Sequence, residues 1–358
     1  MKSKQVALSL AILLALGTGT VLYVEAQGNP TEYSRHFGDE NTVTSDHSLA
    51  VGFRNTVSGS YSTAVGQSST ASGETSLAIG RSAQATANNT NAIGRSARAE
   101  GENATAIGHG SVSSGRNSNA FGSSAKASAE ASTAVGNSTK ASGISSTATG
   151  FNAEASGNFS SAYGNDARAK GNRSVAVGYN AKAEESATAV GNNANAGAAN
   201  AVALGSGNTI TARGGVGIGS SNSVSGIDSG AFGVRNNVAQ ANTYVLGSNV
   251  TSTQGNSVLL GNASTDRAAT TETQANINGI NYSGFAGVGS ARNGVTSVGA
   301  SGKERQVINV ASGKVSSDST DAINGSQLYA VANTVGGILN NHNTLIQNNI
   351  NEIDKNKE

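Results

Sequence analysis

The 358-residue chain has no cysteine and no tryptophan, a single proline, and only 4% aromatic residues. Without cysteine there is no disulfide framework and no paired-thiol chemistry. Such a composition lies far from that of an average globular chain. Charged residues make up 13% and the formal net charge is +1, so there is no global electrostatic case for nucleic acid or an anionic membrane as partner. The histidines His36, His47, His109 and His342 are scattered without metal-ligand spacing. No nucleophile elbow and no P-loop occurs. Gly-x-Gly sequences such as Gly205-Ser206-Gly207 read as turns, and the Asp-containing nonapeptide of calcium-binding rolls is missing. The sequence therefore predicts no enzyme, no cofactor and no metal.

What the chain has is a repeat. An apolar tetrad closes on a glycine sixteen times, from Gly52 to Gly261, in steps of 14 residues. One step, Gly178 to Gly191, is 13. Low-complexity disorder does not keep such a period. A unit this short cannot bury a core alone and must stack on its neighbours, which predicts a solenoid.

One unit shows the expected geometry. Leu77 and Ile79 alternate with Ala78 along a strand. Gly80 breaks the strand and opens a turn, and Ala83-Gln84-Ala85 makes a second strand. Many units turn again at a second glycine seven residues later, such as Gly73, Gly101 and Gly143. Stacked in parallel about 4.8 Å apart, sixteen coils would form a rod about 70 Å long. Size suggests the facing. Large residues before the glycine (Val51, Val65, Ile79, Ile93, Ile107, Phe121) are expected inside, against small Ala83, Ala85, Ala97 and Ala99. The opposite face of the first strand, with Ala64, Ala78, Ala106, Ala134, Ala162 and Ala176, is then expected outside, packed on identical chains.

The ends read differently. Residues 1–26 have the pattern of a signal peptide: Lys2 and Lys4, an apolar run from Val6 to Leu16, and Val24-Glu25-Ala26 as a cleavage site. Residues 27–46 form an N-terminal cap or linker, 47–264 the β-roll head, 265–304 a connector, 305–330 a further segment, and 331–358 the start of a helical stalk. Leu328, Ala332, Val335, Leu339, His342, Ile346, Asn349 and Ile353 are spaced 4-3-4-3-4-3-4, a coiled-coil seam with polar residues in two core layers. A seam needs partner chains. Leu328, Val335, Leu339, Ile346 and Ile353 are its expected subunit contacts.

These residues carry a family resemblance. The coils Ser76-Leu77-Ala78-Ile79-Gly80-Arg81-Ser82 and Asn172-Arg173-Ser174-Val175-Ala176-Val177-Gly178 resemble the head repeat of YadA-type trimeric autotransporter adhesins. Glu304 to Tyr329, with Arg305-Gln306-Val307-Ile308-Asn309-Val310-Ala311-Ser312-Gly313 and Asp321-Ala322-Ile323-Asn324-Gly325-Ser326-Gln327-Leu328-Tyr329, resembles that family's neck. The resemblance implies an all-β solenoid head, a left-handed parallel β-roll trimer. A neck would narrow that head onto an α-helical trimeric coiled-coil stalk. It implies an anion within the stalk at Asn349. It also implies export to the cell surface of a Gram-negative-type bacterium, at the outer membrane. The family's membrane anchor, four amphipathic strands per chain, is not found before Glu358, so surface attachment is implied by the resemblance and not encoded in these residues.

Function follows as expectation. The resemblance implies a non-enzymatic homotrimeric adhesin that binds host extracellular-matrix proteins of the collagen and fibronectin class, and itself on neighbouring cells, supporting autoagglutination and biofilm. Two ligand surfaces are expected. One is a basic stripe, because the residue four after each repeat glycine lies between two inward alanines and must point outward; there Arg98, Lys126, Lys140, Arg168 and Lys182 recur. The other is the turn region at Ser76, Ile79, Gly80, Ser82, Ser174, Val175, Val177 and Gly178. A purely structural or ice-binding solenoid and a phage-fibre-like head are the alternatives. The rank Thr63, Leu77, Asn91, Thr105, Asn119, Thr133 is too mixed for a regular ice lattice, and the signal peptide speaks against a phage fibre.

Overall fold

Residues 33–357 are described by a computed structural model; the expected signal peptide and the first part of 27–46 lie outside the described residues. Each 14-residue unit is one coil with two short strands. Leu77–Ile79 pairs in parallel with Asn91–Ile93, setting Ala78 beside Ala92, and Gln84–Ala85 pairs with Arg98–Ala99. Two parallel sheets result, one for each strand of the coil. The turns are laddered too: the Gly94 N–H donates to the Ile79 carbonyl at 2.8 Å, and the Ser96 N–H to Arg81 at 2.8 Å.

The chain reverses twice per coil through a left-handed residue. Ser82, Asn89, Ser96 and Asn103 all have φ near +57°. Ser and Asn suit the site because a short polar side chain tolerates this conformation. The repeat glycine is needed for a second reason. Gly80 has φ +135°, and a Cβ there would lie 2.5 Å from the Gly94 carbonyl oxygen. Coils stack turn on turn with no room for a side chain.

The interior reverses one expectation. Along the middle of the roll each coil points four small residues inward: in one coil Ser76, Ala78, Ala83 and Ala85, each 2% exposed or less. The second-strand alanines are inside, as the spacing predicts. The first-strand ladder Ala64, Ala78, Ala106, Ala134, Ala162 and Ala176 is also fully buried in the roll, so it cannot face a neighbouring chain. The large residues point outward instead: Ile79, Ile107, Phe121 and Val135 are 36–37% exposed, and Val51, Val65 and Ile93 are half-buried. The physical reason is thickness. Connections of two to five residues hold the two sheets close, so along most of the roll small packs on small, not large on small.

The cross-section changes toward both ends. Near the start Asn41 and Asn55, and near the finish Asn208, Asn222 and Asn236, stand in the inward position after the turn. The Asn222 amide donates to the Gly233 carbonyl at 2.8 Å, and its oxygen accepts from the Asn236 amide at 3.0 Å. These ladders satisfy polar groups inside the roll. They accompany larger inward residues, Val57, Ile210, Val224 and Val238. Volume is conserved where they enter: Ile210 fills the space left by Gly217, whose added Cβ would lie 2.3 Å from Ile210 Cδ1. The 13-residue step removes one residue from the second turn, after Lys182–Ala183, and leaves both ladders in register.

The roll starts earlier than its sequence period suggests. Arg35–Phe37 pairs with the next coil, Arg35 beside Leu49, and Thr42–Val43 supplies the second strand. At the other end Thr296–Ser297 pairs in parallel with Val258–Leu260 and adds a last strand. Between them the chain makes an antiparallel hairpin, Gln274–Ile277 with Ile280–Ser283, turning at Asn278-Gly279 with positive φ at both. Asn-Gly is the preferred pair for this tight turn. The chain ends in one helix, α1, Gly325–Lys355. No helix among the described residues is long and apolar enough to cross a membrane.

The inward Ala ladder gives a direct test. Ala134→Leu overpacks the roll and lowers its stability by about 1–3 kcal/mol, whereas Val135→Thr, one residue on, leaves the roll's own melt nearly unchanged. Thermal melts followed by circular dichroism measure both; the opposite ranking would put the alanines back outside.

Candidate adhesive surfaces and subunit seam

The second strand places the basic stripe as its spacing predicts. Gln84, Arg98, Val112, Lys126, Lys140, Glu154, Arg168 and Lys182 are register neighbours, one per coil, on the outward face. Arg98, Lys126, Lys140 and Lys182 are exposed, and Arg168 is half-buried. Their charges are not equivalent. Arg98 is held by Glu100 at 2.6 Å. Lys126 stands beside Lys140, and Arg168 beside Lys182, and none of these four forms an ion pair among the described residues. Like charges on adjacent strands repel, so each pair concentrates positive charge, with Glu154 as the register neighbour of Lys140 and Arg168. Glu154 separates the two pairs. Lys170, two residues beyond Arg168 and exposed, shares its face and enlarges the second pair. Strand alternation alone could have found it.

The turn residues separate into two groups. Ile79, Ser82, Val175, Val177 and the glycines Gly80 and Gly178 are at least partly exposed. Ser76 and Ser174 are not available to a ligand. Ser174 is fully buried and its hydroxyl donates to the Gly171 carbonyl at 2.6 Å; the Ser76 N–H donates to the Ser62 hydroxyl at 2.9 Å. Both belong to the interior. A further basic contact lies on the first turn, where Arg95 Nη2 meets His109 Nε2 at 2.6 Å.

The outward face of the first sheet is the apolar one. Val51, Val65, Ile79, Ile93, Ile107, Phe121 and Val135 form an unbroken register ladder along the rod. Exposed apolar surface continuous over so many coils marks an interaction face. On the first sheet it is this ladder, and not the buried alanines, that is open to a partner. At the C-terminus, Leu328, Val335, Leu339, Ile346 and Ile353 of α1 are likewise uncovered, 49–61% exposed. His342 and Asn349 lie on the same strip and are exposed as well.

Between roll and helix, Arg305 closes the last coil. Its guanidinium donates to the carbonyls of Val298 at 2.6 Å and Asn262 at 2.7 Å, and to the Ser264 hydroxyl at 3.1 Å. It packs over Gly261, where a Cβ would come within 2.8 Å of Cζ. Beside it Thr265, Asp266, Val295, Ser297 and Glu304 line an open cavity of about 640 Å³. Backbone N–H groups of Glu304 itself and of Gly302 hold the Glu304 carboxyl below its usual range. The start of α1 is locked to the preceding segment. Asn324 and Gln327 form a reciprocal capping box, and Gln327 bridges back to Gly313 through its N–H at 3.1 Å and its carbonyl at 2.8 Å. Val307, Ile308 and Val315 remain 67–79% exposed, so this segment too lacks cover within one chain. Among the described residues of the chain no group of three His, Cys, Asp or Glu converges as a metal site.

The YadA head domain repeat matches overlapping segments from residue 44 to 208, and the coiled stalk of trimeric autotransporter adhesin matches 306–351. The autotransporter adhesin BtaE of Brucella suis biovar 1 (strain 1330) is 45% identical over 69 residues, which cover 19% of this chain and 9% of BtaE. The chain therefore spans only a small part of that relative's length. The C-terminal YadA-like domain of BPSL2063 from Burkholderia pseudomallei is 35% identical, with 35% of this chain and 53% of that one covered at a TM-score of 0.28.

Arg305→Ala removes three hydrogen bonds from the end of the roll. The expected result is a local loosening of about 1 kcal/mol, read as faster amide exchange at Val258–Leu260 with the coils around Ala64 unaffected. Uniform protection in the variant would show that the last coil closes without it.

Proposed function

We propose a function from one premise: this chain belongs to the trimeric autotransporter adhesins of the YadA type. Its role is non-enzymatic adhesion at the bacterial outer surface. The head binds host extracellular-matrix proteins of the collagen and fibronectin class and binds copies of itself on neighbouring cells, promoting autoagglutination and biofilm. The chain acts as a homotrimer. The apolar ladder from Val51 to Val135 faces the neighbouring subunits, and the α1 strip completes the assembly below the neck. An anion at Asn349 belongs to the same stalk reading.

The observation that carries this reading is repetition without enclosure. Identical outward positions recur at every coil of a rigid rod, and three rods share one axis. Weak contacts then act together, and avidity replaces a deep pocket. The pairs Lys126 with Lys140 and Arg168 with Lys182 give the outer face a positive potential on adjacent coils, within a Debye length at physiological salt.

Exchange of Arg98, Lys126, Lys140, Arg168 and Lys182 for Gln tests the stripe. Adhesion to immobilised collagen or fibronectin is expected to fall roughly tenfold or more at low salt and to lose its salt dependence, with the thermal melt of the trimer unchanged. Arg98→Gln alone is expected to do least, because Glu100 already engages that guanidinium. Undiminished adhesion by the quintuple variant would move the ligand site to the exposed turns at Ile79, Gly80 and Ser82.

A further inference from the structure

Assembly brings together one set of residues that a single chain holds apart, and the inference rests on the trimeric reading above. Helix α1 carries two apolar flanks, Val331, Ile338 and Leu345 on one side and Leu339, Ile346 and Ile353 on the other, all exposed. They border a shared column of Leu328, Val335, His342 and Asn349. Whichever flank joins the column in the coiled coil, His342 occupies a core layer. The three helices start at the same height, because each is tied to its neck by the Asn324–Gln327 box and the Gly313 bridge. In a parallel, in-register trimer the three imidazoles therefore share one layer around the axis.

That layer has no charged partner within the helix around it. From Gly325 to Asn351 the helix contains no Asp, Glu, Lys or Arg. The next polar residue of the column, Asn349, lies one heptad on, about 10 Å along the axis. Buried polar atoms need partners, and imidazole is the commonest metal-binding side chain. The helix is continuous but weak just above, where Gly336 and Gly337 are two poor helix formers in a row.

We propose that the three His342 side chains of the trimer form a tri-imidazole site for a divalent transition ion of the zinc class. Three nitrogen ligands leave the fourth tetrahedral position to water or a small anion. The ion clamps the three helices below the neck, next to the weak Gly336-Gly337 step. Each chain contributes a single ligand, so residue spacing within one chain carries no trace of the site.

The test uses the full chain, stripped of metal with a chelator, dialysed, and checked as a trimer by light scattering. Titration with zinc chloride is expected to give about one Zn²⁺ per three chains and an upward shift of the helical melting transition. Cobalt(II) is expected to develop the visible absorption of a nitrogen-ligated tetrahedral ion. H342N copies the residue already present at Asn349, so it keeps the trimer but loses the binding, the shift and the spectrum. Substitution of His36, His47 and His109 leaves all three intact. A verified trimer that ignores zinc, or binding that survives H342N, would overturn the metal site alone. A well-folded monomer would overturn both this site and the trimeric reading.

Discussion

The distance between the two sheets governs this protein. Turns of a few residues join strands of two to five, so the interior has room for a methyl or a hydroxymethyl group and rarely for more. Serine and alanine fill it along the middle of the rod. Glycine holds the turns because the next coil's carbonyl sits where a Cβ would be. Dispersion and hydrogen bonding between coils then replace the large apolar interior of a globular domain. The bulky residues that such a sequence still carries have only the outside to occupy. That displacement creates the apolar ladder, and the ladder makes the single chain an incomplete object.

Much of this was legible in the residues. The glycine period fixes the coil, and the Ala83 and Ala85 positions fix one inward face. The first strand was read with its faces exchanged. Alternation says that Leu77 and Ile79 oppose Ala78; it does not say which side is in. The choice turned on an assumed pairing of large with small, and that pairing fails when both walls are close. The inward quartet Ser76, Ala78, Ala83 and Ala85 repeats at seven-residue intervals on both strands, and that regularity was the available signal. Ser76 and Ser174 were drawn into the ligand surface by the same exchange. The hairpin at Asn278-Gly279 lies in the segment read only as a connector, although its turn pair was a signal for it. The coil at Arg35–Phe37 was harder to see because His36 stands where later coils have alanine.

The ends of a solenoid are where stacking stops, and they are built differently. Asparagine ladders and larger aliphatic residues replace Ser and Ala toward both ends of the described roll. At the C-terminal end the Thr296–Ser297 strand covers the last first-sheet strand, and Arg305 gathers the remaining carbonyls. An uncovered parallel edge would be free to pair with other chains. The same segment that seals the roll runs on to the capping box of α1. Closure of the rod and initiation of the helix thus share one short stretch of chain. The segment's own apolar residues find no cover within one chain.

Adjacent coils contact each other through equivalent atoms, and the bond from Gly94 to Ile79 is repeated at Gly108 to Ile93 and Gly122 to Ile107. The seam between any two coils in the middle of the head is therefore nearly the same seam. A genetic crossover between two such coils rejoins surfaces that already fit, so loss or gain of a whole unit leaves no mismatch to repair. Even a one-residue deletion has been absorbed after Ala183 without disturbing either sheet. Length is thereby uncoupled from cross-section. A lineage could lengthen or shorten this rod in steps of about 4.8 Å, setting its reach while every contact within the rod stays as it was.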